Sequence, residues 1–345
     1  MTKIPEVLPG VHFQGLSKDQ YQVMLDARQT LWDGGAISAE KEVTRSDAAA
    51  EKQQAEVGLY ALRDRVNQLY FGILLSTAQL EQNALLGRQL ERNRAQVAAW
   101  IRSGVATPAD LDAVNVERLQ ARQDSIQYAE TRAAYLRVLA LFIGRPAVAA
   151  DELQKPAPVV AAGRDIRRPE LQLYDLQLAG IGSRLRQLET GKRPSLSLFL
   201  QAAYGKPGLN LLENKFKPYA VGGISLSWNL SRFYTLKNDR QLLALRREGI
   251  ASDRETFLLG ARMDVAGAEG EAGKWQRMMA SDDELIRLRG NIRQAAEQKA
   301  ARGTMTVTDM LREVTAEAQA RQGKVMHEIR YLMAIYDQKY IMNQP

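Results

Sequence analysis

Gly104-Val105-Ala106-Thr107-Pro108-Ala109-Asp110 decides the fold, because it returns as Gly303-Thr304-Met305-Thr306-Val307-Thr308-Asp309. Each stretch reads as a stop followed by a start. The glycine supplies the positive φ that ends an incoming helix. The threonine caps the next helix, and the aspartate stands at its third position. Pro108 takes the first helical position, where its missing N–H is no loss. Two helical hairpins with the same kind of tip are expected, separated by 199 residues (Gly104 to Gly303).

The same offset aligns more than the tips. Gln120-Ala121-Arg122-Gln123 recurs as Gln319-Ala320-Arg321-Gln322, Arg63 and Val66 recur as Arg262 and Val265, and Leu86 and Arg88 as Leu285 and Arg287. The chain reads as an internal duplication over roughly residues 12–145 and 211–344. Each copy predicts a strand, a helix of about 65 residues, a sharp turn and a returning helix of about 35. No proline interrupts Gly10–Thr107, Ala109–Arg145 or Tyr219–Gln344, and these stretches are rich in good helix formers. Residues 1–145 form the first repeat, 146–166 a linker marked by Pro146, Pro156 and Pro158, and 167–345 the second repeat.

A helix of about 65 residues spans on the order of 100 Å, and no globular core hides that length. It needs lateral partners, so coiled-coil packing is expected. In the returning helix Leu119, Ile126, Ala133 and Ala140 recur every seven residues, with Ala129, Leu136 and Ile143 three further on.

Three segments of about ten residues alternate in polarity. Tyr21, Val23, Leu25, Ala27 and Leu31 oppose Gln22, Asp26, Arg28 and Thr30 within Tyr21–Trp32. Leu196, Leu198, Leu200, Ala202 and Tyr204 oppose Ser195, Ser197, Gln201 and Ala203 within Pro194–Tyr204. Ile224, Leu226, Trp228 and Leu230 oppose Ser225, Ser227 and Asn229 within Ala220–Leu230. Alternation alone also describes a soluble sheet with one face on a core. Two long helical hairpins offer such a sheet no core to cover, which favours strands of a transmembrane barrel. Lys206–Pro218 reads as an exposed loop, and Pro169–Thr190 as a further helix. Moving Pro194 back by the offset falls before residue 1, so a matching helix and strand are expected to precede Met1. The lack of an apolar leader in Met1–Val7 agrees with that expectation.

Composition narrows the function. The longest strongly apolar run, Leu69–Leu75, is far short of the roughly 20 residues of a membrane-spanning helix, so any span must be β. There is no cysteine, which excludes disulfides and thiolate metal sites. The two histidines, His12 and His327, read as solvated or packing residues. The net charge of +7 is dispersed, as on a solvated helical surface, and no basic cluster is interleaved with aromatics for nucleic acid. Phosphate loop, Ser/His/Asp set and ligand cluster are all missing, so neither an enzyme nor a cofactor is expected.

Taken in this order, the motifs resemble the TolC-like outer membrane efflux protein family. The resemblance runs from Tyr21 to Met342. Its carriers are Arg193-Pro194-Ser195-Leu196-Ser197-Leu198 opening a strand, Leu31-Trp32-Asp33-Gly34-Gly35 at a strand-to-helix exit, the two tips, and Leu141-Phe142-Ile143-Gly144-Arg145-Pro146 closing the first copy. It implies a mainly α fold with β strands: long antiparallel hairpins forming a helical tube in the periplasm, and strands shared in a twelve-stranded barrel of a homotrimer. Four strands per protomer are implied and three are visible, which places the fourth in the N-terminal part expected before Met1.

The implied function is passive export of small molecules through the outer membrane, with a periplasmic adaptor and an inner-membrane RND or ABC pump as partners and lipid around the barrel. A type I protein-secretion duct has the same architecture. A periplasmic coiled-coil adaptor or structural protein is the alternative of another class, though adaptors usually carry one hairpin. The resemblance places Asp309 at the periplasmic entrance, with Arg312 where well-studied members carry a second acid. Around a three-fold axis these two would alternate in charge. Gly104, Val105, Thr107, Asp110, Gly303, Thr304 and Thr306 fall at the tips that meet the adaptor. Helix capping accounts for Asp110 and Asp309 without any gate.

Overall fold

A computed structural model describes residues 19–159, 163–209, 213 and 215–344. His12 lies outside the described residues. The order is β1 (Tyr21–Trp32), α1 (Ala36–Arg102), α2 (Pro108–Phe142), α3 (Pro169–Thr190), β2 (Ser195–Lys206), β3 (Lys217–Ser227), α4 (Arg232–Ala301) and α5 (Val307–Met342). Each repeat thus ends in a long helix and a shorter returning one, as the tip motifs require. The chain divides in space into two units. One holds the described residues up to Lys52 with Leu173–Asp253; the other holds Gln53–Gln172 with the residues from Arg254 onward. The boundary crosses the sequence repeats because α1 and α4 are each continuous through it.

The first unit carries an antiparallel sheet in the order β1-β2-β3. Pairing runs from Tyr21↔Lys206 to Trp32↔Leu196, and from Ser195↔Ser227 to Gly205↔Lys217. The third strand begins at Lys217 and ends at Ser227, so the expected span Ala220–Leu230 is corrected at both ends. Pairing with β2 extends it backward. At the far end the Asn229 side chain accepts from the Ser231 N–H and hydroxyl, which turns the chain into α4. Trp228 leaves the ladder and donates its indole N–H to the Lys192 carbonyl at 2.9 Å.

The exit from β1 into α1 depends on Asp33-Gly34-Gly35. The Asp33 carboxylate accepts the Ile37 N–H at 2.6 Å and the Gly35 N–H at 2.9 Å, which caps the helix and lowers the Asp33 pKa. Gly34 has φ +68, and a Cβ there would lie 2.7 Å from Arg193 Cβ. Arg193 in turn donates to the Gly34 carbonyl at 3.1 Å. In the same unit α3 is tied to α1 by Arg184–Asp47 at 2.8 Å, by Arg186–Glu42 and by a Ser46–Ser183 hydroxyl pair at 2.9 Å.

In the second unit four helices share one apolar cluster near the tips. Leu90 and Val97 of α1, Val114 and Ala121 of α2, Ala296 and Ala300 of α4 and Met310 and Val314 of α5 are all buried in it. Asn83 of α1 joins α2 by donating to the Ala121 carbonyl at 2.6 Å and the Ser125 hydroxyl at 2.7 Å. A smaller cluster packs Phe71 against Ile329 and Leu332. The buried residues of α2 are Val114, Ala121, Leu139 and Ala140. Leu119 and Ile126 of the heptad series are 60% and 56% exposed, so half of that series faces away from the chain's own bundle. No helix among the described residues is long and apolar enough to cross a membrane.

Candidate functional site

The two tips are built alike from local chemistry. At the first, the Gly104 N–H bonds the Ile101 carbonyl at 3.1 Å and the Val105 N–H bonds the Trp100 carbonyl at 2.9 Å. At the second, the Gly303 N–H bonds the Ala300 carbonyl and the Thr304 N–H the Lys299 carbonyl, both at 3.0 Å. This is the closure that a left-handed glycine makes, with φ +75 at Gly104 and +70 at Gly303. The tips adjoin: a Cβ on Gly303 would stand 3.7 Å from Val105, whereas one on Gly104 would meet open space.

Each aspartate belongs to a helix cap, Asp110 as an acceptor of backbone N–H and Asp309 as the partner of the capping threonine. Asp110 accepts the Thr107 backbone N–H and hydroxyl, each at 2.8 Å. At the other tip the Thr306 hydroxyl accepts the Asp309 N–H at 3.0 Å and donates to the Asp309 carboxylate at 2.7 Å. Asp309 keeps a side chain 43% exposed, and Arg312, one turn on, lies 3.4 Å from it at 73% exposure. Within one chain the two charges therefore face each other along the helix. Thr304 is held by its hydroxyl to the Lys299 carbonyl at 3.1 Å, and Val105 is half exposed.

The sheet supplies the second candidate surface. Its register stacks Val23, Tyr204 and Pro218 in one row, then Leu25, Ala202 and Ala220, then Ala27, Leu200 and Gly222, and then Gln29, Leu198 and Ile224. A register shift between Thr30 and Trp32 sets Trp32 opposite Leu196 and Leu226, so the row next to the helices is apolar too. Val23, Leu25, Ile224 and Leu226 are each at least 67% exposed. The opposite face carries Gln22, Asp26, Arg28, Thr30, Ser197, Gln201 and Ser225, with Gln201 donating to Asp26 at 2.8 Å and Gln22 to the Tyr219 hydroxyl. One face is thus mainly hydrocarbon, interrupted by Gln29, and the other carries most of the polar side chains together with Met24, Phe199 and Val221.

Several groups had no sequence signal. Glu317 is nearly buried between Arg293 and Arg321, which together outweigh its desolvation and hold its carboxyl below the usual range. Position 317 corresponds to Arg118 in the first copy, where Glu91 bridges Arg94 at 3.2 Å and Arg118 at 2.8 Å on the surface. His327 packs as a structural residue, on Asp282 at 2.9 Å and stacked on Trp275. Arg168 sits 4.8 Å from the rings of both Tyr60 and Tyr340 and pairs with Glu170, which anchors the start of α3.

Duplicated hairpins on an amphipathic antiparallel sheet define the TolC-like fold of outer-membrane channels, and this chain has that fold. The outer-membrane channel OprN superposes with TM-score 0.74 at 15% identity, over 98% of this chain and 78% of that one. The transmembrane channel protein CusC matches at 0.74 and 17%, over 94% and 78%. The open-state MtrE outer membrane channel of Neisseria gonorrhoeae matches at 0.69 and 14%, over 95% and 81%. No protein-family model and no curated protein matches the sequence.

Proposed function

We propose that the chain is a protomer of a trimeric channel in the outer membrane of a Gram-negative cell. The channel passes small molecules outward as the last stage of a tripartite efflux system. One observation carries the reading: the strand register gathers the exposed Val23, Leu25, Leu198, Leu200, Ile224 and Leu226 on one face and most of the polar side chains on the other. Such a sheet is stable where the first face meets lipid and the second meets water. Its outer strands, β1 and β3, each leave one row of N–H and C=O groups that lipid cannot satisfy. Strands of neighbouring protomers close the ring. The exposed Leu119 and Ile126 supply helix seams to the same neighbours.

In this reading the helical hairpins line the periplasmic duct and the tips form its entrance. Gly104, Val105, Thr107, Asp110, Gly303, Thr304 and Thr306 present the surface met by an adaptor, behind which stands an RND or ABC pump that supplies the energy. Asp309 and Arg312 set the charge of the entrance. Because they pair within each chain, the ring they form is close to neutral at rest, and losing either one unmasks three like charges.

Single-channel recording of the full-length protein in a planar bilayer tests this. Steady currents are expected, with cation preference lowered by Arg312-preserving loss of the acid in Asp309→Ala. Steady currents with unchanged selectivity would leave Asp309 as a cap alone. A folded preparation that gives no channels would refute the conduit and favour a coiled-coil adaptor.

A further inference from the structure

Within the second unit a basic cleft opens between α1, α4 and α5. It has a volume of about 280 Å³ and is walled by Arg88, Gln89, Arg92, Arg293, Glu317 and Arg321. The charges in and around it do not balance. Glu317 engages Arg293 and Arg321, and Glu297 accepts from Arg293 and from Gln89, each at 2.7 Å. Two acids therefore answer two arginines. Arg88 and Arg92 have no carboxylate partner among the described residues; Arg92 donates only to the Gln89 side-chain oxygen. They stand one helical turn apart on the same side of α1, where like charges repel.

The duplication supplies an internal control. Arg287 stands at the position matching Arg88, and Glu284 neutralises it at 2.6 Å. In the first copy the position matching Glu284 is Leu85, which lines the same cleft. One copy keeps its arginine paired on the surface, and the other turns an unpaired arginine towards a recess.

We propose that this cleft binds a small, multiply charged oxyanion, of the polycarboxylate or phosphate class. Guanidinium groups present planar forks that match carboxylate and phosphate oxygens two at a time. The buried Glu317 fixes Arg293 and Arg321 in place, so the wall is set before the ligand arrives. Arg88 and Arg92 bring the two uncompensated charges. A bound dianion joins α1 to α4 and α5 and holds the bundle together. The site is independent of the channel reading, since binding is measured whether or not the protein conducts.

The test is titration calorimetry and thermal unfolding of the full chain in detergent, with citrate and inorganic phosphate as probes and chloride at matched ionic strength as the reference. Saturable binding of citrate, phosphate or both, one per chain, is expected, with a rise in the unfolding midpoint that chloride does not produce. The double variant Arg88→Gln/Arg92→Gln alters two exposed side chains and is expected to weaken binding about tenfold or more. Arg287→Gln is expected to leave it unchanged. Absence of saturable binding by both probes overturns the proposal. So does full affinity in the double variant, an equal loss in Arg287→Gln, or a midpoint shift that chloride reproduces.

Discussion

Asp337 on α5 is set against Asp64 of α1, and burial followed by that second carboxylate pushes its pKa up from 3.8 to about 6. Replacing it with asparagine keeps the shape and removes the charge. A shift of about two units is worth at most ~3 kcal/mol at 1.36 kcal/mol per unit. Asp337 is only partly buried, so solvent screening reduces the effect to about 1 to 1.5 kcal/mol. The folded-state pKa is the higher one, so the native protein holds the proton more tightly than the unfolded chain. Below about pH 4 both states are protonated and the wild type carries no penalty. As pH rises through about 6 the folded carboxyl ionises and that stability is lost. Asp337→Asn is therefore expected to be the more stable protein at pH 7.5, by about 1 kcal/mol, and equal to wild type near pH 3.5. Urea unfolding of the full chain across this range, followed by circular dichroism, gives the difference directly. A destabilised variant at pH 7.5, or a difference that does not change with pH, refutes the reasoning. Asp64→Asn should shrink the wild-type pH dependence, because it removes the second cause.

The remaining predictions test other parts of the molecule. Glu317→Gln leaves Arg293 and Arg321 without their acid in a nearly buried place, and should cost about 2 to 4 kcal/mol in the same unfolding assay. Glu91→Gln, at the solvated counterpart, should cost under about 1 kcal/mol; equal losses would show that burial is not what separates the two networks. Gly34→Ala forces a Cβ into Arg193 at a left-handed φ and should cost about 2 kcal/mol or more, visible as a lowered unfolding midpoint. The chain has no cysteine, so single-cysteine variants need no prior removal of thiols. In lipid vesicles a water-soluble maleimide should label Ser197→Cys and spare Leu198→Cys, and the same result from both positions would argue against a lipid-facing sheet.

The hairpin tips were legible because their chemistry is local. A left-handed glycine, a capping threonine and an aspartate at the third helical position act on groups within one or two turns. Gly104 and Gly303 therefore close the same way in both copies. The alternation of β1 and β2 was equally readable, since a strand needs only period two to sort its faces. The third strand was harder: Asn229 fits the polar positions of an alternating run, yet its side chain turns the backbone, and only pairing with β2 fixes where the ladder stops.

What the sequence determined by itself is the duplication, the two hairpins, the strand faces and the want of any membrane-crossing helix. The tertiary structure decided which face of each helix is satisfied inside the chain. Heptad spacing marks Leu119 and Ile126 as a seam but carries no information about which helix covers it. In the fold Val114 and Ala121 take the core and leave that seam outward. The tertiary structure also separated carboxylates that look alike in sequence. Glu317 is ionised between two arginines, Asp337 is held towards its protonated form by burial and Asp64, and Asp309 accepts the hydroxyl of the capping Thr306 beside Arg312. The reason is physical: hydrogen bonds of a turn are closed by near neighbours, whereas burial and charge pairing depend on residues far along the chain that only packing brings together.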